Sequence, residues 1–331
     1  MIVNIEVLEA LFLSPLFKEK IPLLAAEKVY RVGLSGGRHY QRESNGKVYK
    51  SLTTFLDSVM PPSRQLETWR DAMADQLGSN ELADEYVRMT ADYGTLLHIA
   101  VADFVRDGNV DWYAKKMWFA AQLSEIGLKD KALNAATSEL VKDLAAMVQF
   151  FYDYRVEVIA VELPVFLDCG VATLVDLVCR MDNKANDQTA LETANRHNAI
   201  INLKSGKKGF FDTHVLQLEG ERRAFNETYS KLGYEIQEVY NLAPTAWRGT
   251  PKYKIKNQTE AANKKSRLFS LYLEVANELG VLSMPQTKYE IMAGVTPYGA
   301  NPSDNVRHMG FDELSNEQIK ITTKNENQAQ D

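Results

Sequence analysis

The sequence has few cysteines and no long apolar run. Its two cysteines, Cys169 and Cys179, are too few for a disulfide framework, a four-cysteine zinc site or an iron–sulfur cluster, and we expect both to be buried thiols in strands. No stretch approaches the roughly 18 to 20 apolar residues of a membrane-spanning helix. The N-terminal apolar segment carries Glu6 and Glu9, where a signal peptide is uncharged. A cytoplasmic location is therefore expected.

The composition is that of a globular protein that can bury a core. Of the 331 residues, 45% are hydrophobic and 25% are charged. The net charge of -6 argues against indiscriminate coating of nucleic acid. A local excess of basic residues nevertheless runs from Trp247 to Arg267, where Glu260 is the only acid. This basic stretch is interpreted either as a solvated loop and helix start or as a surface that contacts phosphates, with Trp247 and Tyr253 available to stack on bases.

Apolar periods along the chain predict an α/β protein with a mixed central β-sheet flanked by helices. Strand-like runs broken at residues 35–37 and 45–46 indicate an N-terminal hairpin or three-stranded meander. Two helical patterns follow, and Gly94 in the second is an interruption or a point of close packing. The middle of the chain then has the order helix, strand, strand, strand, helix, strand. These helices and strands are expected at about residues 66–77, 80–104, 136–154, 155–167, 171–183, 199–204, 212–233 and 234–243.

Four segments are expected along the chain. They are an N-terminal hairpin and helical extension (1–79), a core (80–245), a basic segment with an additional C-terminal helix (246–314) and a disordered polar tail (315–331). The third segment contains an apolar stripe at helical spacing, which we interpret as core packing rather than as a binding surface. Its members are Leu268, Leu271, Tyr272, Val275 and Leu279.

A lysine ends the apolar strand of residues 199–203. A lysine held at a strand end either extends to solvent or takes part in chemistry, and Lys204 is open to both interpretations. Asn202 lies two residues earlier, so its side chain points to the same face of the strand. Asp176 interrupts a strand of valines and leucines, where an unpaired carboxylate is costly. It therefore needs a cation, which is Lys204 if the two strands pair, or Arg180 at a strand edge.

Three further polar residues lie on neighbouring elements. His98 follows "GTLL" on a predicted helix, and a lone histidine there is usually packed or on the surface. Gln217 lies on the helix after the lysine, where a glutamine needs no explanation. Glu162 interrupts an apolar strand, but Pro164 indicates an edge position, at which a solvated glutamate is ordinary. Glu162 is therefore a secondary candidate.

The motifs together resemble a known family. In order, "GTLLH", "VELPVF", "GVATLVDLV", "INLK" and "HVLQLEGERRAF" resemble the PD-(D/E)XK nuclease superfamily, and within it the RecB-type and phage exonuclease branch. That branch has Gly-x-x-x-His on a helix, an aspartate on a strand, Asp/Glu-x-Lys on the next strand and Gln-x-x-x-Tyr on the following helix. The segment "KVYKSLTTFLDSVMPPSRQLETWR" is similar to the one that precedes these motifs in the family. The resemblance covers roughly residues 38 to 245 and lies in the order and spacing of the motifs.

The resemblance implies a nuclease core at residues 80–245 and a role for each matching residue. His98, Asp176, Asn202 and the backbone carbonyl of Leu203 would bind Mg²⁺, with Mn²⁺ as a substitute. Lys204 would orient the attacking water and offset charge on the scissile phosphate, and Gln217 would hold the substrate or Lys204 itself. The catalytic set is thus Lys204, Asp176, Asn202 and Gln217, and the residues expected to contact DNA are Lys207, Lys208, Arg248, Lys252, Lys254 and Lys256.

Three positions depart from the family pattern. Thr173 stands where a glycine often precedes the aspartate, and Glu221 stands where Gln-x-x-x-Tyr has tyrosine. Asn202 occupies the Asp/Glu position of Asp/Glu-x-Lys, and an amide cannot supply the negative charge that a carboxylate gives a divalent metal. Catalysis by this chain is therefore in question.

Three functions stay open at this point. The first is a metal-dependent DNA exonuclease of phage or bacterial recombination or repair, acting in the bacterial cytoplasm with DNA and a recombination or replication protein as partners. The second is a DNA-end or junction-binding protein that retains the nuclease fold without catalysis, which Asn202 favours. The third is a structural or assembly protein that uses the fold as a scaffold. No pattern indicates cleavage polarity, strand preference or oligomeric state.

Overall fold

The structure is a computed structural model. It describes residues 28–34, 37–61, 64–183, 196–205, 210–245, 249–282 and 293–295. The apolar N-terminal segment, the polar tail from residue 315, and Lys207, Lys208, Trp247 and Arg248 lie outside the described residues, as do the predictions made for them.

The predicted N-terminal meander is present, but its last strand-like run ends at Ser51 and the chain is helical from Leu52. Strands β1 (Val29–Leu34), β2 (Gly37–Arg42) and β3 (Val48–Ser51) pair antiparallel in sequence order. Helix α1 (Leu52–Val59) follows β3 directly and is capped by Ser51, whose hydroxyl accepts a hydrogen bond from the Thr54 N–H. The meander is not a separate layer, because the end of β3 pairs parallel with a central strand at residues 171–172.

Four helices come next. They are α2 (Arg64–Leu77), α3 (Asn80–Asp107), α4 (Trp112–Glu125) and α5 (Asp130–Asp153). The sequence did not predict α4, because its apolar residues are not confined to one side: Trp112 and Phe119 are buried, whereas Tyr113 and Met117 are exposed. None of the described helices is long and apolar enough to cross a membrane.

The remaining elements complete a mixed sheet. Their bounds are β4 (Glu157–Leu167), β5 (Val171–Asp182), β6 (Arg196–Leu203), α6 (Asp212–Tyr229), β7 (Glu238–Thr245), β8 (Lys252–Asn257), α7 (Thr259–Glu278) and β9 (Ala293–Val295). The described residues form nine strands in one sheet. Eight of them have the order β8-β7-β6-β5-β3-β2-β1-β9. The ninth, β4, pairs with β5 along the edge that β3 and β6 do not use. The predicted fold class, a mixed sheet flanked by helices, is confirmed.

Helices cover both faces of this sheet. On one face, α3, α4 and α5 pack against Leu177, Ile201 and Leu242 of the central strands. On the other face, α1, α6 and α7 pack against Val175 and Ile200. Because β5 and residues 199–203 of β6 are buried on both sides, these segments are mostly apolar, and a polar residue inside them is conspicuous.

Three sequence interpretations were wrong. Cys179 is buried in β5 as predicted, but Cys169 is exposed in the turn between β4 and β5. The interpretation of the basic stretch as a solvated loop and helix start is wrong for residues 252–257, which form the edge strand β8, and right for the helix start, since a helix begins at Thr259. Most of the apolar stripe of α7 does not pack in the core, because Phe269 and Ala276 occupy that side of the helix while Leu271 is 44% exposed.

Candidate metal centre

The pairing of β5 positions Asp176 where the sheet opens. One edge of β5 pairs with β4 along residues 171–180, so β3 and β6 share the other edge, at 171–172 and at 177–182. The last pair with β6 is Leu177 with Ile201, one residue from Asp176. Beyond that pair, the backbone N–H of Leu203 donates to Asp176 Oδ2 at 2.7 Å. The carboxylate therefore lies in the gap that β6 leaves as it ends.

Glu162 lies opposite Asp176 on the neighbouring strand. The flanking pairs are Val161 with Leu177 and Leu163 with Val175. Glu162 has φ of 49°, in the left-handed region that a non-glycine residue rarely adopts inside a strand. Residues two apart on a strand normally face the same side, yet Leu163 packs with α6 while Val161 packs against α3. The strained backbone breaks the alternation and turns the Glu162 carboxylate toward α3, and such strain clusters at functional sites.

Helix α3 brings His98 to the same place. Its apolar residues Leu97 and Val101 are buried against α4 and α5, which fixes the rotation of the helix. One turn before the histidine, Gly94 faces the end of β6, where an added Cβ would lie 2.7 Å from Ser205 Oγ. The close-packing role expected for Gly94 is thus confirmed, because a glycine lets α3 approach the residue that follows Lys204.

His98, Glu162 and Asp176 form one cluster. His98 Nδ1 lies 3.5 Å from Glu162 Oε1 and 3.6 Å from Asp176 Oδ1. The three ligand atoms all lie within 4.8 Å of one another. Both carboxylates are buried, while the His98 side chain is 25% exposed, so solvent reaches the cluster from one side. One imidazole and two carboxylates are a donor set that could hold a divalent cation and leave positions for water or substrate.

The electrostatics of the cluster favour a cation. Burial by itself lowers the pKa of His98, but the negative charges of Asp176 and Glu162 outweigh burial and raise that pKa to about 9. Burial raises the pKa of Glu162, and although His98 opposes this effect, the charge of Asp176 adds to it. The protonated imidazole thus supplies one positive charge for two buried carboxylates, and a divalent ion would supply two.

Lys204 belongs to a buried polar network next to the cluster. Lys204 Nζ donates to Gln217 Oε1 at 3.2 Å, and Gln217 Nε2 donates to Glu221 Oε1 at 2.8 Å. The amide of Asn202 also donates to Glu221 Oε1, at 3.0 Å. Helix α6 places the glutamine and the glutamate one turn apart on the face that packs over β6. The lysine is therefore held in place rather than extended freely into solvent.

Burial sets the protonation of this network. It lowers the pKa of Lys204, an effect that the charges of Asp176 and Glu221 oppose. Burial also raises the pKa of Glu221 to about 8, and the charge of Asp176 adds to this, while Lys204, Gln217 and Asn202 act against it. Glu221 therefore holds its proton to a higher pH than an exposed glutamate does.

The structure brings together the residues predicted from the central motifs. His98 and Asp176 are in contact, and Lys204 and Gln217 are hydrogen-bonded to each other. Leu203 adjoins Asp176 through its N–H, and metal binding by its carbonyl stays a prediction. Asn202 is buried beside Glu221, and its Oδ1 has no hydrogen-bond partner among the described residues.

The lysines of the basic stretch lie on β8. Lys252, Lys254 and Lys256 are exposed and alternate with Tyr253 and Ile255, which pack toward the core. Tyr253 donates a hydrogen bond to Asp153 at 2.6 Å and contacts the ring of Phe150, so it is not available to stack on a base.

Sequence reasoning underrated two glutamates. Glu162 is only a secondary candidate from the sequence, because a glutamate on an edge strand is ordinarily solvated; β4 is such a strand, but Glu162 is only 7% exposed. The positive φ of Glu162 cannot be read from the residue types of its strand. Glu221 was treated as a departure from the family pattern, although its i, i+4 spacing from Gln217 indicated that both share one face of the helix.

No protein-family model matches the chain, and the search of curated proteins gave no match either. The geometry of the site and the order of its motifs therefore carry the functional argument.

Proposed function

We propose that the protein is a metal-dependent deoxyribonuclease that hydrolyses phosphodiester bonds at DNA ends. The observation that carries the proposal is the His98, Glu162 and Asp176 cluster beside a buried lysine whose charge acts on the histidine and on the aspartate. Carboxylates, an imidazole and a fixed cation are what a phosphoryl-transfer site needs, because positioning and charge stabilisation provide most of its catalysis. The role would be exonuclease action in phage or bacterial recombination or repair, in the bacterial cytoplasm.

The resident cofactor would be Mg²⁺, with Mn²⁺ as a substitute. His98, Glu162 and Asp176 would hold it, since carboxylate and water ligands suit both Mg²⁺ and Mn²⁺. When bound, the ion supplies positive charge to the scissile phosphate and makes water a stronger nucleophile. The fit is supported by two buried carboxylates whose mutual repulsion a divalent ion would relieve.

The protein's own residues divide the remaining work. The Leu203 N–H donates to one oxygen of Asp176 and so fixes the orientation of that carboxylate. Gln217 holds Lys204 beside the cluster, where its ammonium group can contact a phosphate oxygen and neutralise charge that develops there. Because the pKa of Lys204 is lowered by burial, the lysine can also give up a proton more readily than an exposed one.

Exposed lysines of β8 would guide the DNA backbone to this site. Leu203 pairs with Leu242, and Ala243 pairs with Lys254, so Lys254 lies two strands from Lys204, about 10 Å across the sheet. Replacing Lys252, Lys254 and Lys256 by glutamine should weaken DNA binding and flatten its dependence on salt. An unchanged salt slope would show that the phosphate contacts lie elsewhere.

A second candidate is a DNA-end or junction-binding protein without catalysis. Asn202 favours it, since a neutral amide stands where a family carboxylate would supply negative charge, and burial raises the pKa of Glu221, its hydrogen-bond partner. Such a protein would bind DNA ends and a metal ion but leave the phosphodiester intact.

Cleavage of labelled DNA separates the two candidates. End-labelled linear DNA and closed circular DNA are incubated with Mg²⁺, Mn²⁺ or chelator. The nuclease proposal expects metal-dependent degradation of the linear DNA, loss of it in Asp176→Asn and Lys204→Ala, and normal rates in Lys116→Ala, an exposed lysine of α4 that serves as the matched control.

Binding without cleavage would favour the second candidate. If neither ion supports cleavage while the wild type still binds DNA ends, the catalytic proposal is wrong. If DNA is not bound even at low salt, both candidates fail and the scaffold hypothesis takes their place.

A further inference from the structure

Helix α7 presents an apolar stripe to solvent. Its other side is anchored in the core by Ala262, Phe269 and Ala276, which are fully buried. The stripe itself is 37 to 71% exposed. We define it by its members Leu268, Leu271, Val275 and Leu279. Four large apolar side chains on three successive turns form a contiguous surface, which differs from the single exposed leucines found on most proteins.

Charged residues follow one edge of this stripe. Arg267 precedes its centre, and Glu274 and Glu278 follow it, all exposed and at helical spacing on the same side of the leucines. Among the described residues, no ion pair joins Arg267, Glu274 or Glu278 to another side chain. Glu260 lies on the same edge near the helix start, where it forms an ion pair with Lys264 of its own helix. The edge thus carries a positive charge just before its centre and negative charges just after it.

Such an edge is complementary to its own copy. In an antiparallel pair of α7 helices, related by a two-fold axis at Leu271, Arg267 would face the partner subunit's Glu274, and the axis repeats this pair. The same axis would bring Leu268 against the partner subunit's Val275. A surface that meets itself with opposite charges and apolar contacts is what a two-fold interface requires.

We propose that the stripe of α7 is the interface of a two-fold symmetric dimer of this chain, with the two α7 helices antiparallel. No residue of the stripe belongs to the cluster or to the Lys204 network. It is independent of the proposed nuclease function.

The interface is small, so the dimer is weak. Each copy contributes four apolar side chains, and two charge pairs cross the interface. The area that these side chains can bury falls short of the roughly 800 Å² per partner of a standard stable interface. We expect dissociation in the micromolar range, and tighter association at low salt, because the charge pairs are exposed and therefore screened.

Sedimentation velocity of the full chain tests the proposal. Between roughly 1 µM and roughly 200 µM the wild type should pass from monomer to dimer. Leu271→Glu should weaken the dimer about ten-fold or more. Leu82→Glu is the matched control, since Leu82 is 49% exposed but lies on α3, across the sheet from α7, and it should leave the dimer unchanged.

Charge exchange gives a sharper test. Arg267→Glu alone and Glu274→Arg alone should each be monomeric, because like charges then face each other twice. A mixture of the two single variants should form a heterodimer, since every pair is then again of opposite sign, and the double variant should dimerise with itself. This recovery depends on the antiparallel register and would not follow from a general change in surface charge.

The proposal is overturned if the wild type stays monomeric over this range, or if Leu271→Glu dimerises as the wild type does. A monomeric wild type whose melting temperature falls in Leu271→Glu would show that a segment of the same chain covers the stripe. Failure of the two single variants to associate with each other would refute the antiparallel arrangement.

Discussion

Replacing Asn202 by aspartate restores the carboxylate of the family motif, and the structure shows what that change would cost. Asn202 is 1% exposed and donates to Glu221, which is 0% exposed, at 3.0 Å. An aspartate would lose this donor and place a second carboxyl group against Glu221. Because the pKa of Glu221 is raised to about 8, its proton can bridge the two groups, but one buried negative charge remains.

The size of the penalty follows from the pKa of the new aspartate. If burial beside Glu221 raised that pKa from roughly 4 to roughly 7, the folded state would lose about 4 kcal/mol at pH 7, at about 1.4 kcal/mol per pKa unit. The ammonium group of Lys204 offsets part of this, so we expect Asn202→Asp to lower the free energy of unfolding by about 2 to 4 kcal/mol. A raised acid pKa costs stability above the unfolded value, so the loss should disappear as the pH falls toward roughly 4.

Urea unfolding in chelator measures this penalty, and Glu221→Gln is the matched control. Glutamine resembles a protonated glutamate, so Glu221→Gln alone should cost less than about 1 kcal/mol, and the double variant should recover most of the stability that Asn202→Asp loses. Mg²⁺ should reduce the difference in unfolding free energy between Asn202→Asp and the wild type. This variant should also cleave DNA faster than the wild type, unless Lys204 is replaced by alanine as well. An Asn202→Asp variant as stable as the wild type at pH 8 in chelator would refute the argument.

Three further predictions concern other parts of the molecule. Mn²⁺ at about 100 times its dissociation constant should stabilise the wild type by about 2.7 kcal/mol in thermal unfolding. His98→Ala should remove this gain. An equal gain in the wild type and the variant would exclude the cluster as the Mn²⁺ site. Gly220→Ala should lower the free energy of unfolding in urea by about 1 to 3 kcal/mol, since the added Cβ would lie 2.7 Å from Leu52. At an exposed helix position the same substitution would stabilise the protein. Asp182→Asn should lower the free energy of unfolding by about 3 to 5 kcal/mol, because it removes the fully buried carboxylate that accepts a hydrogen bond from Arg155. A loss below about 1 kcal/mol would show that this ion pair is dispensable for stability.

The sequence by itself determined most of the central elements and the central motif residues, but it did not predict α1, α4 or β8. Apolar runs buried on both faces of a sheet are strong local signals, so β5 and the apolar half of β6 could be predicted, and the polar residues Asp176 and Lys204 stood out within or beside them. The spacing of "GTLLH" placed His98 on a helix, and close packing at Gly94 was a local inference that the contact with Ser205 confirms.

Tertiary structure alone decided which polar groups meet. The positive φ of Glu162 is not visible in the residue types of its segment, so nothing there distinguishes it from a solvated glutamate. The partnership of Asn202 with Glu221 depends on how α6 lies over β6, a contact between residues 19 positions apart. Likewise, the rotation of α7 decided that Phe269 fills the core and Leu271 meets solvent, because helical periodicity identifies an apolar face but two adjacent faces of one helix can both be apolar.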